Sequence, residues 1–371
     1  MKIAVLGAGM VGSTIAKDLA GSFEVTCFDR SEANLSKLKM NANRIALQKM
    51  DLSDYSLYPQ ILAPFDMVVL AVPGFMGYRA LEQVILAGKN VVDISFFPED
   101  ALTLHRLAKE KGVTAIVDCG VAPGMSNLII GRYDKIMKLD AFEIYVGGLP
   151  QNPKPPFLYK APFSPIDVIE EYTRPARLME NGEVITKPAL TDRSLMDFEG
   201  VGMLEAFNTD GLRTLLYTMP HIPNQKEQTL RYPGHLDLII ALQQSGFFSN
   251  EPIVVGELTV VPLEVTAKLL FDQWKLEPGE PELTVMQVTM YGEGKTIQYQ
   301  LLDKYDAASE TSSMSRSTGY TCSAAVHMLA EGLFTEKGVF PPEHIGANEV
   351  CFEYILKYLK TRNVQWMKTA L

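Results

Sequence analysis

The chain has 371 residues, 47% of them hydrophobic and 21% charged, which is the composition of a globular protein long enough for two domains. Lys and Arg number 34 against 44 Asp and Glu, and the net charge of −10 argues against nucleic acid or an anionic membrane as a partner. The 4 cysteines are widely scattered, so neither a metal site nor a disulfide framework is predicted. With no leader and no membrane-length apolar stretch in the pattern, we expect a cytoplasmic protein.

The first predicted element is a buried strand at residues 3–6, which runs directly into the sequence G-A-G-M-V-G and a helical pattern. In the dinucleotide-binding fingerprint, successive glycines permit a tight turn, admit a pyrophosphate and let the helix pack on the strand. The free N–H groups of the helix start would face the phosphates. The predicted cofactor contacts of this turn are Gly7, Gly9, Met10, Val11 and Gly12.

The second predicted strand, residues 24–28, ends in Asp29. An acid at this place can hold a ribose 2′-hydroxyl and repels the extra phosphate of NADP, so NAD is the predicted cofactor. Arg30, which is also assigned to the cofactor site, is the neighbour that would favour NADP. A further strand at residues 45–51 ends in Asp51, whose carboxylate is expected near the adenine.

Further strands are predicted at residues 67–72, 90–94 and 114–117, with helical patterns between most of them. This alternation predicts an α/β fold with a doubly wound parallel sheet of the Rossmann type. Ligands bind at the carboxyl edge of such a sheet. The residues that the strand ends bring to this edge are Val72, Pro73, Asp93, Ser95, Phe96 and Asp118.

The second half of the chain has a different pattern. A strand at 139–149, a proline-rich loop at 151–165 and hairpins at 177–190 and 283–302 predict a largely antiparallel sheet with helices on one face. Helical patterns at 321–331 and 348–362 are expected to return to the nucleotide domain. We therefore predict a cofactor domain at 1–122 plus about 310–371, a substrate and dimerisation domain at 123–309, and an active site in the cleft between them.

Several short motifs run through both halves. They are the glycine turn at 7–12, V-D-I-S-F at 92–96, G-V-A-P-G at 120–124, V-G-G-L-P at 146–150, T-R-P-A-R at 173–177, L-R-Y-P-G-H at 230–235 and S-M-S-R-S-T-G-Y at 313–320. Together they resemble the saccharopine dehydrogenase family, and the likeness is greatest to its archaeal and bacterial lysine 6-dehydrogenases. The resemblance runs from Met1 to about Arg362.

The resemblance implies an NAD-dependent homodimer that oxidises the 6-amino group of L-lysine. The product, 2-aminoadipate 6-semialdehyde, cyclises to a piperideine carboxylate with release of ammonia. Saccharopine reductases carry Asp where this chain has Ala122 and Cys where it has Val146. Lysine dehydrogenases share the Ala, so the resemblance favours free lysine as the substrate.

Amine oxidation requires the amine to lose a proton before the hydride leaves, and a positioned base contributes about 10²- to 10⁴-fold to such a reaction. His235 is the first candidate, because it follows a Pro-Gly turn and is expected to titrate near the working pH. Asp118 and Asp93 are the other candidates. The structural interpretations are that His235 caps the next helix and that Asp93 binds ribose or the carboxamide.

A lysine substrate also needs partners for its carboxylate and α-amine. Arg231 is the candidate for a bidentate carboxylate contact, with Lys160, beside Tyr159, and Arg213 as further cations. The remaining candidates are Glu205 and Asp210 for the ammonium group, and Tyr320 and Thr318 in a predicted turn at 317–320. Capping a helix at 211–217 is the structural interpretation of Asp210, and Thr318 is read in the same way as a helix cap.

Two other functions remain open at this stage. One is a different enzyme on the same scaffold, a saccharopine reductase or a carboxynorspermidine-type synthase. The other is a non-catalytic NAD-binding redox sensor that signals through a dimer. Lysine and ornithine differ by one methylene, worth about 1 to 3 kcal/mol in an apolar pocket, and the sequence does not separate them.

Overall fold

A computed structural model describes residues 1–41, 44–161, 165–277 and 279–370. Its strands are β1 (Lys2–Leu6), β2 (Glu24–Asp29), β3 (Ile45–Lys49), β4 (Met67–Leu70), β5 (Asn90–Asp93), β6 (Thr114–Ile116), β7 (Ala141–Pro150), β8 (Ala176–Glu180), β9 (Glu183–Lys187), β10 (Ser194–Phe198), β11 (Gly202–Asn208), β12 (Asn224–Arg231), β13 (Ile253–Val255), β14 (Leu258–Val260), β15 (Glu282–Gly292), β16 (Lys295–Lys304), β17 (Gly338–Phe340) and β18 (Trp366–Ala370). Its helices are α1 (Met10–Leu19), α2 (Glu32–Asn41), α3 (Tyr58–Leu62), α4 (Gly74–Leu86), α5 (His105–Lys111), α6 (Met125–Ile136), α7 (Pro165–Thr173), α8 (Leu215–Thr218), α9 (His235–Gln244), α10 (Pro262–Trp274), α11 (Ser313–Ala330), α12 (Pro342–Ala347) and α13 (Glu349–Lys360).

The first of two compact units comprises Met1–Lys138 and Met314–Gln365. Its described strands form one parallel sheet in the order β17-β6-β5-β4-β1-β2-β3. The central strands β1 and β4 are apolar along nearly their whole length, as expected where helices cover both faces of a parallel sheet. The predicted doubly wound sheet is therefore confirmed, and chain order reverses between β1 and β4.

Helix α11 of this unit corrects one prediction. The helix begins at Ser313, so Thr318 and Tyr320 lie within it and not in a turn at 317–320. Gly319 concealed the continuation because glycine weakens a helical pattern. A Cβ at Gly319 would touch Thr14 and Ile15 of α1 at 3.4 Å, so the small residue lies where the two helices approach each other.

The second unit comprises Leu139–Ser313 and Trp366–Leu371, of which the last residue lies outside the described part. Its main sheet has the order β10-β11-β12-β7-β15-β16-β18, with β8 and β9 attached beside β12. All pairs are antiparallel except β12 with β7. The prediction of a largely antiparallel sheet is confirmed, and this one parallel pair makes it mixed.

Both predicted hairpins are present. The β8–β9 turn places Asn181 at φ 52° and Gly182 at φ 84°, which is the left-handed pair that a two-residue hairpin turn needs. The β15–β16 turn uses Glu293 and Gly294 in the same way, at φ 51° and 69°. Part of the predicted proline-rich loop, residues 162–164, lies outside the described residues.

The predicted helix at 211–217 is wrong, because the helix there, α8, is confined to Leu215–Thr218. Arg213 adopts a left-handed φ of 46°, which no helical residue has. Asp210 therefore does not cap a helix. Its carboxylate instead accepts hydrogen bonds from the backbone and the guanidinium of Arg177, at 2.9 to 3.1 Å.

The bounds of the two units differ from the predicted residues 122, 123, 309 and 310. Helix α6 packs against α12 and so extends the first segment of the first unit to Lys138. Strand β18 pairs with β16 and belongs to the second unit. No helix in the described part of the chain is long and apolar enough to span a membrane.

Candidate functional site

Two glycines fix the turn between β1 and α1 because neither position has room for a side chain. Gly7 has a φ of 112°, and a Cβ there would lie 2.2 Å from the carbonyl oxygen of Ala71. A Cβ on Gly12 would lie 2.1 Å from the carbonyl oxygen of Gly7. Helix α1 therefore starts as close to the strand end as the dinucleotide fingerprint requires.

Gly9 stands in open space, since a Cβ at this position would meet no described heavy atom within 4 Å. Gly9 and Met10 are exposed and Val11 is half-buried at the start of α1. The first N–H groups of a helix lack intrahelical partners and attract anions. The space that a side chain would fill, together with these N–H groups, fits the diphosphate of a dinucleotide.

Asp29, at the end of β2, is fixed against this turn. Its Oδ2 accepts a hydrogen bond from the backbone N–H of Ala8 at 2.7 Å, and its Oδ1 accepts one from the N–H of Ser31 at 2.7 Å. A carboxylate held at the end of the second strand suits ribose hydroxyls and opposes a 2′-phosphate. The position of Asp29 thus supports its predicted role.

Arg30 and Asp51 lie on the exposed surface near Asp29. Hydrogen bonds from Ser53 lower the pKa of the Asp51 carboxyl, and the positive charge of Arg30 lowers it further. Both side chains are accessible to a ligand. Their contacts with the adenine half of a cofactor remain predictions.

The loops that follow β4 and β5 pack against each other at the carboxyl edge. Gly74 directly follows Val72 and Pro73 in the chain. A Cβ on Gly74 would lie 2.1 Å from the carbonyl oxygen of Phe96. The N–H of Ser95 donates to Asp93 Oδ1 at 2.7 Å. The predicted edge residues of these two loops are therefore neighbours in space.

Asp93 and Asp118 are both buried beside the thiol of Cys119. Burial raises the pKa of that thiol, and the charges of the two carboxylates raise it further. Asp118 has a left-handed φ of 52°, and the N–H of Cys119 donates to the backbone oxygen of Asp93 at 2.9 Å. The structure brings the two aspartates together, and their catalytic role remains a prediction.

The predicted substrate residue Tyr320 belongs to the first unit. The guanidinium groups of Arg316 and Arg362 lie 5.8 and 6.0 Å from the centre of its ring. Contacts at this distance allow a weak attraction between each cation and the ring. The contact of Tyr320 with a substrate remains a prediction.

In the second unit, Arg231 is 2% exposed at the end of β12 and its polar groups have several partners. Its Nη2 pairs with the carboxylate of Glu171 at 2.6 Å, and its Nε donates to the hydroxyl of Tyr172 at 3.1 Å. The ring centre of Tyr159 lies 4.4 Å from the guanidinium carbon. We call this group, with His235 and Trp274, the Arg231 cluster.

His235 uses both ring nitrogens within this cluster. Nδ1 lies 2.8 Å from the carbonyl oxygen of Phe157, which can only accept, so Nδ1 carries the proton. The hydroxyl of Tyr172 then donates to Nε2 at 2.9 Å. Burial, and then the charge of Arg231, lowers the pKa of His235 to about 3.

The expectation that His235 titrates near neutral pH is thus wrong for the folded protein. It is completely buried, and its neutral ring orients the hydroxyl of Tyr172. His235 is also not the N-cap of the following helix. Helix α9 begins at His235 itself, and the N-cap residue is Gly234, with a φ of 94°. A direct part in proton transfer remains a prediction.

The other predicted substrate residues of this unit have separate surroundings. Glu205 pairs through Oε1 with Arg193 at 2.6 Å, while its buried Oε2 has no hydrogen-bond partner among the described residues. Lys160 donates to the carbonyl oxygen of Lys275 at 2.9 Å. Arg213 is buried. Of these, Glu205 keeps a free acceptor for an ammonium group.

Sequence reasoning missed the partners that complete the Arg231 cluster, Glu171, Tyr172 and Trp274. It also missed the polar residues of β12 that share a face with Arg231, namely Gln225, Glu227 and Thr229, all of them buried. Strand β12 is polar at every position except Leu230, and a polar stretch without hydrophobic periodicity is typical of an exposed segment.

Glu227 is a buried carboxyl for which no cationic partner is described. The hydroxyl of Thr209 donates to its Oε2 at 2.7 Å and lies 2.8 Å from the hydroxyl of Thr229. Burial raises its pKa to about 8, and the charges of Glu171 and Asp210 act in the same direction. A carboxyl of this kind can hold a proton at neutral pH and release it when the pH rises above about 8.

Within the described residues, no three His, Cys, Asp or Glu side chains are arranged to hold a metal ion.

The comparisons with known proteins agree with the geometry of the first unit. The model of the saccharopine dehydrogenase NADP binding domain matches residues 3–116, and the model of the saccharopine dehydrogenase C-terminal domain matches residues 120–364.

Several curated relatives match 67% of this chain. One is the saccharopine dehydrogenase [NADP(+), L-glutamate-forming] of Pyricularia oryzae, 26% identical over 262 residues. Another is the mitochondrial alpha-aminoadipic semialdehyde synthase of Bos taurus, 24% identical over 273 residues. The matches span 58% and 29% of these relatives, so the chain corresponds to only part of each.

Among solved structures, the apo saccharopine dehydrogenase (L-Glu forming) of Saccharomyces cerevisiae has the same fold. It superimposes with a TM-score of 0.81 at 19% identity, covering 100% of this chain and 99% of that one. Family models thus match nearly the whole chain, across the nucleotide turn and the second sheet alike. The protein belongs to the saccharopine dehydrogenase family.

Proposed function

We propose that the protein is an NAD-dependent dehydrogenase that oxidises the 6-amino group of L-lysine to 2-aminoadipate 6-semialdehyde, with release of ammonia. The observation that carries the substrate assignment is Ala122, a small half-buried side chain at the position where saccharopine reductases have an aspartate. An apolar residue there removes a charge that a saccharopine-type substrate would meet. Val146 stands where they have a cysteine, so a thiol is replaced by an apolar side chain.

Support for a dinucleotide comes from the open space at Gly9 and the exposed start of α1. Gly9, Met10 and Val11 would hold the diphosphate, and Asp29 would hold the ribose. When bound, a nicotinamide accepts the hydride from the amine carbon and so needs no metal. The matched domain model is described as NADP-binding, which makes the preference that we assign to Asp29 a direct subject for experiment.

The residues of the second unit have complementary tasks in this proposal. The substrate carboxylate would share the guanidinium of Arg231 with the carboxylate of Glu171, while Tyr159 and Tyr172 orient that guanidinium. The buried Oε2 of Glu205 would accept from the α-ammonium group. Neutral His235 holds the Tyr172 hydroxyl in one orientation. These groups bind and orient the substrate.

A second candidate, a saccharopine reductase, is favoured by the names of the matched relatives. The two are separated by following NADH and NADPH absorbance with lysine, ornithine and saccharopine as substrates. Lysine-dependent reduction of NAD supports the proposal. Turnover of saccharopine or a polyamine adduct without lysine oxidation would overturn it, and tight NADH binding without turnover of any amine would support a redox sensor.

The remaining expectations are a homodimer and a cytoplasmic location. The dimer is proposed from the family likeness alone. Analytical ultracentrifugation at micromolar concentration tests it directly. A sedimentation coefficient typical of a 41.2 kDa monomer would remove the dimer from the proposal.

A further inference from the structure

Amine oxidation needs a group that accepts the proton of the substrate ammonium, and the structure leaves His235 unsuited to this task. Both of its ring nitrogens are already hydrogen-bonded within the Arg231 cluster. The next buried titratable group on the same face of β12 is Glu227, four residues before Arg231. Side chains two and four residues apart in a strand point to the same face.

The hydroxyls of Thr209 and Thr229 connect Glu227 to the middle of this face. Because an ionised carboxylate only accepts, Thr209 donates its hydrogen to Glu227 Oε2 at 2.7 Å. The hydroxyl of Thr229 must then donate to Thr209 across 2.8 Å. The remaining lone pairs of the Thr229 oxygen are thereby oriented to accept a proton from a further donor.

Thr229 lies where the substrate proposal needs such an acceptor. In the parallel pairing of β12 with β7 it is in register with Val146, and Arg231 is the next residue on the same face. Register partners on adjacent strands point to the same side of a sheet. The end of the hydroxyl chain therefore lies beside one position that separates this chain from saccharopine reductases and beside the proposed carboxylate anchor.

We propose that Glu227 is the proton acceptor for the substrate amine and that Thr229 and Thr209 relay the proton. The substrate N–H bond breaks as an O–H bond forms at Thr229. Thr229 passes its own proton to Thr209, and Thr209 passes its proton to the carboxylate. One proton moves in total, no group is oxidised, and the amine is left with the lone pair that it needs before hydride loss.

The surroundings of Glu227 match this use. Thr209, Glu227 and Thr229 are all buried, which excludes bulk water from the chain of hydroxyls. The charged groups that act on Glu227 are Glu171 from α7 and Asp210 from the loop after β11. Burial and these two negative charges raise the pKa of Glu227 to about 8, close to the range in which a base is most effective.

The inference rests on the proposed function and is tested with Glu227→Gln and Thr229→Val in the full chain. We expect Glu227→Gln to lower kcat about 100-fold, to leave the KM for NAD unchanged, and to abolish the rise of kcat through pH 8. Thr229→Val should lower kcat while the infrared carbonyl band of protonated Glu227 persists. This band should vanish in Glu227→Gln and titrate near pH 8 in the unaltered protein.

Thr289→Val is the matched control, because Thr289 is also a buried threonine of the same sheet but pairs in register with Glu143 on the opposite face. It should not alter kcat. An unchanged pH limb in a folded Glu227→Gln protein would overturn the inference, and so would an effect of Thr289→Val equal to that of Thr229→Val. If the unaltered protein oxidises saccharopine and not lysine, the proposed function fails, and the same comparison with saccharopine decides the role of Glu227.

Discussion

The nucleotide turn and the Arg231 cluster are built in opposite ways. The turn is made of consecutive residues, and its specificity comes from backbone N–H groups and from glycines that admit no side chain. The Arg231 cluster gathers side chains from positions 159 to 274, and its specificity comes from hydrogen bonds among them. Backbone-built sites therefore fail when a single atom is added, whereas side-chain networks fail when a partner is removed.

The largest expected effect is at the turn. Gly12→Ala puts a methyl group 2.1 Å from the Gly7 carbonyl oxygen, which should destabilise the protein by about 3 kcal/mol and abolish NAD binding. The methyl group of Gly9→Ala meets no neighbouring atom, so the Tm of this variant should be unchanged while its affinity for NAD falls. Thermal unfolding measures the Tm, and titration calorimetry measures the affinity for NAD. Equal loss of Tm in the two variants would contradict this division, and Gly21→Ala serves as the neutral control.

Removing a partner from the cluster should have a comparable effect on stability. Arg231→Met leaves Glu171, Tyr159 and Tyr172 without their shared cation, and we expect the free energy of unfolding to fall by about 3 kcal/mol. Arg106→Met, which breaks an exposed pair with Glu110, should leave the Tm unchanged. Denaturant unfolding that ranks the two variants equally would show that the cluster is not a structural unit.

The cluster should also have a pH signature. His235 is neutral when folded because its pKa is about 3, whereas in the unfolded chain it regains its ordinary value of 6.5 and binds a proton below it. Its contribution to stability is full above pH 6.5 and falls by about 2 kcal/mol on going to pH 5. His235→Gln should remove this acid limb from a plot of unfolding free energy against pH.

Glu227 should have the opposite signature. Its folded pKa of about 8 lies above its ordinary value of 4.5, so its contribution to stability is full below pH 4.5 and is lost as the pH rises towards 8. Glu227→Gln should flatten this second limb and leave the acid limb due to His235 in place. A single variant that flattened both limbs would show that the two groups titrate as one network.

The smallest expected effect concerns the ribose. Asp29→Asn keeps the shape of the side chain but loses the charge that binds hydroxyls and repels a phosphate, so NAD affinity should fall about tenfold and preference should shift towards NADP. Asp100→Asn changes an aspartate that also accepts from a backbone N–H two residues on, and it should alter neither. Calorimetric titration of each variant with NAD and with NADP measures the two affinities. An unaltered preference for NAD over NADP in Asp29→Asn would show that Asp29 does not determine the choice of cofactor.

The same contrast explains how far the sequence could be interpreted. The strand, glycine turn and acid of the first unit are close in the chain, so spacing alone predicted Gly7, Gly12 and Asp29 in their observed places. The hairpin at Asn181-Gly182 was predicted for a similar reason, because a two-residue turn needs left-handed residues. A feature formed by residues close together in the chain can be predicted from their spacing.

The Arg231 cluster did not offer such a signature. Tyr172 and Arg231 are 59 positions apart, and only their folded positions show that one hydroxyl joins the guanidinium to His235. The altered pKa of His235 depends on this burial, and so its titration could not be inferred from residue type. Glu227 was overlooked because a stretch that is polar at nearly every position usually faces water, whereas here α7 and α9 supply residues to a core of the same unit.

Strand β18 has a consequence for how the chain acquires its structure during synthesis. It is an edge strand of the second sheet, yet it is separated from β16 in sequence by the helices α11 to α13 of the first unit. Strand β17 likewise joins the first sheet only after the entire second sheet up to β16 has been made. A ribosome must therefore produce some 340 residues before the first sheet gains its last strand, which makes early partial sheets with unpaired edges the stage at which chaperones would be needed most.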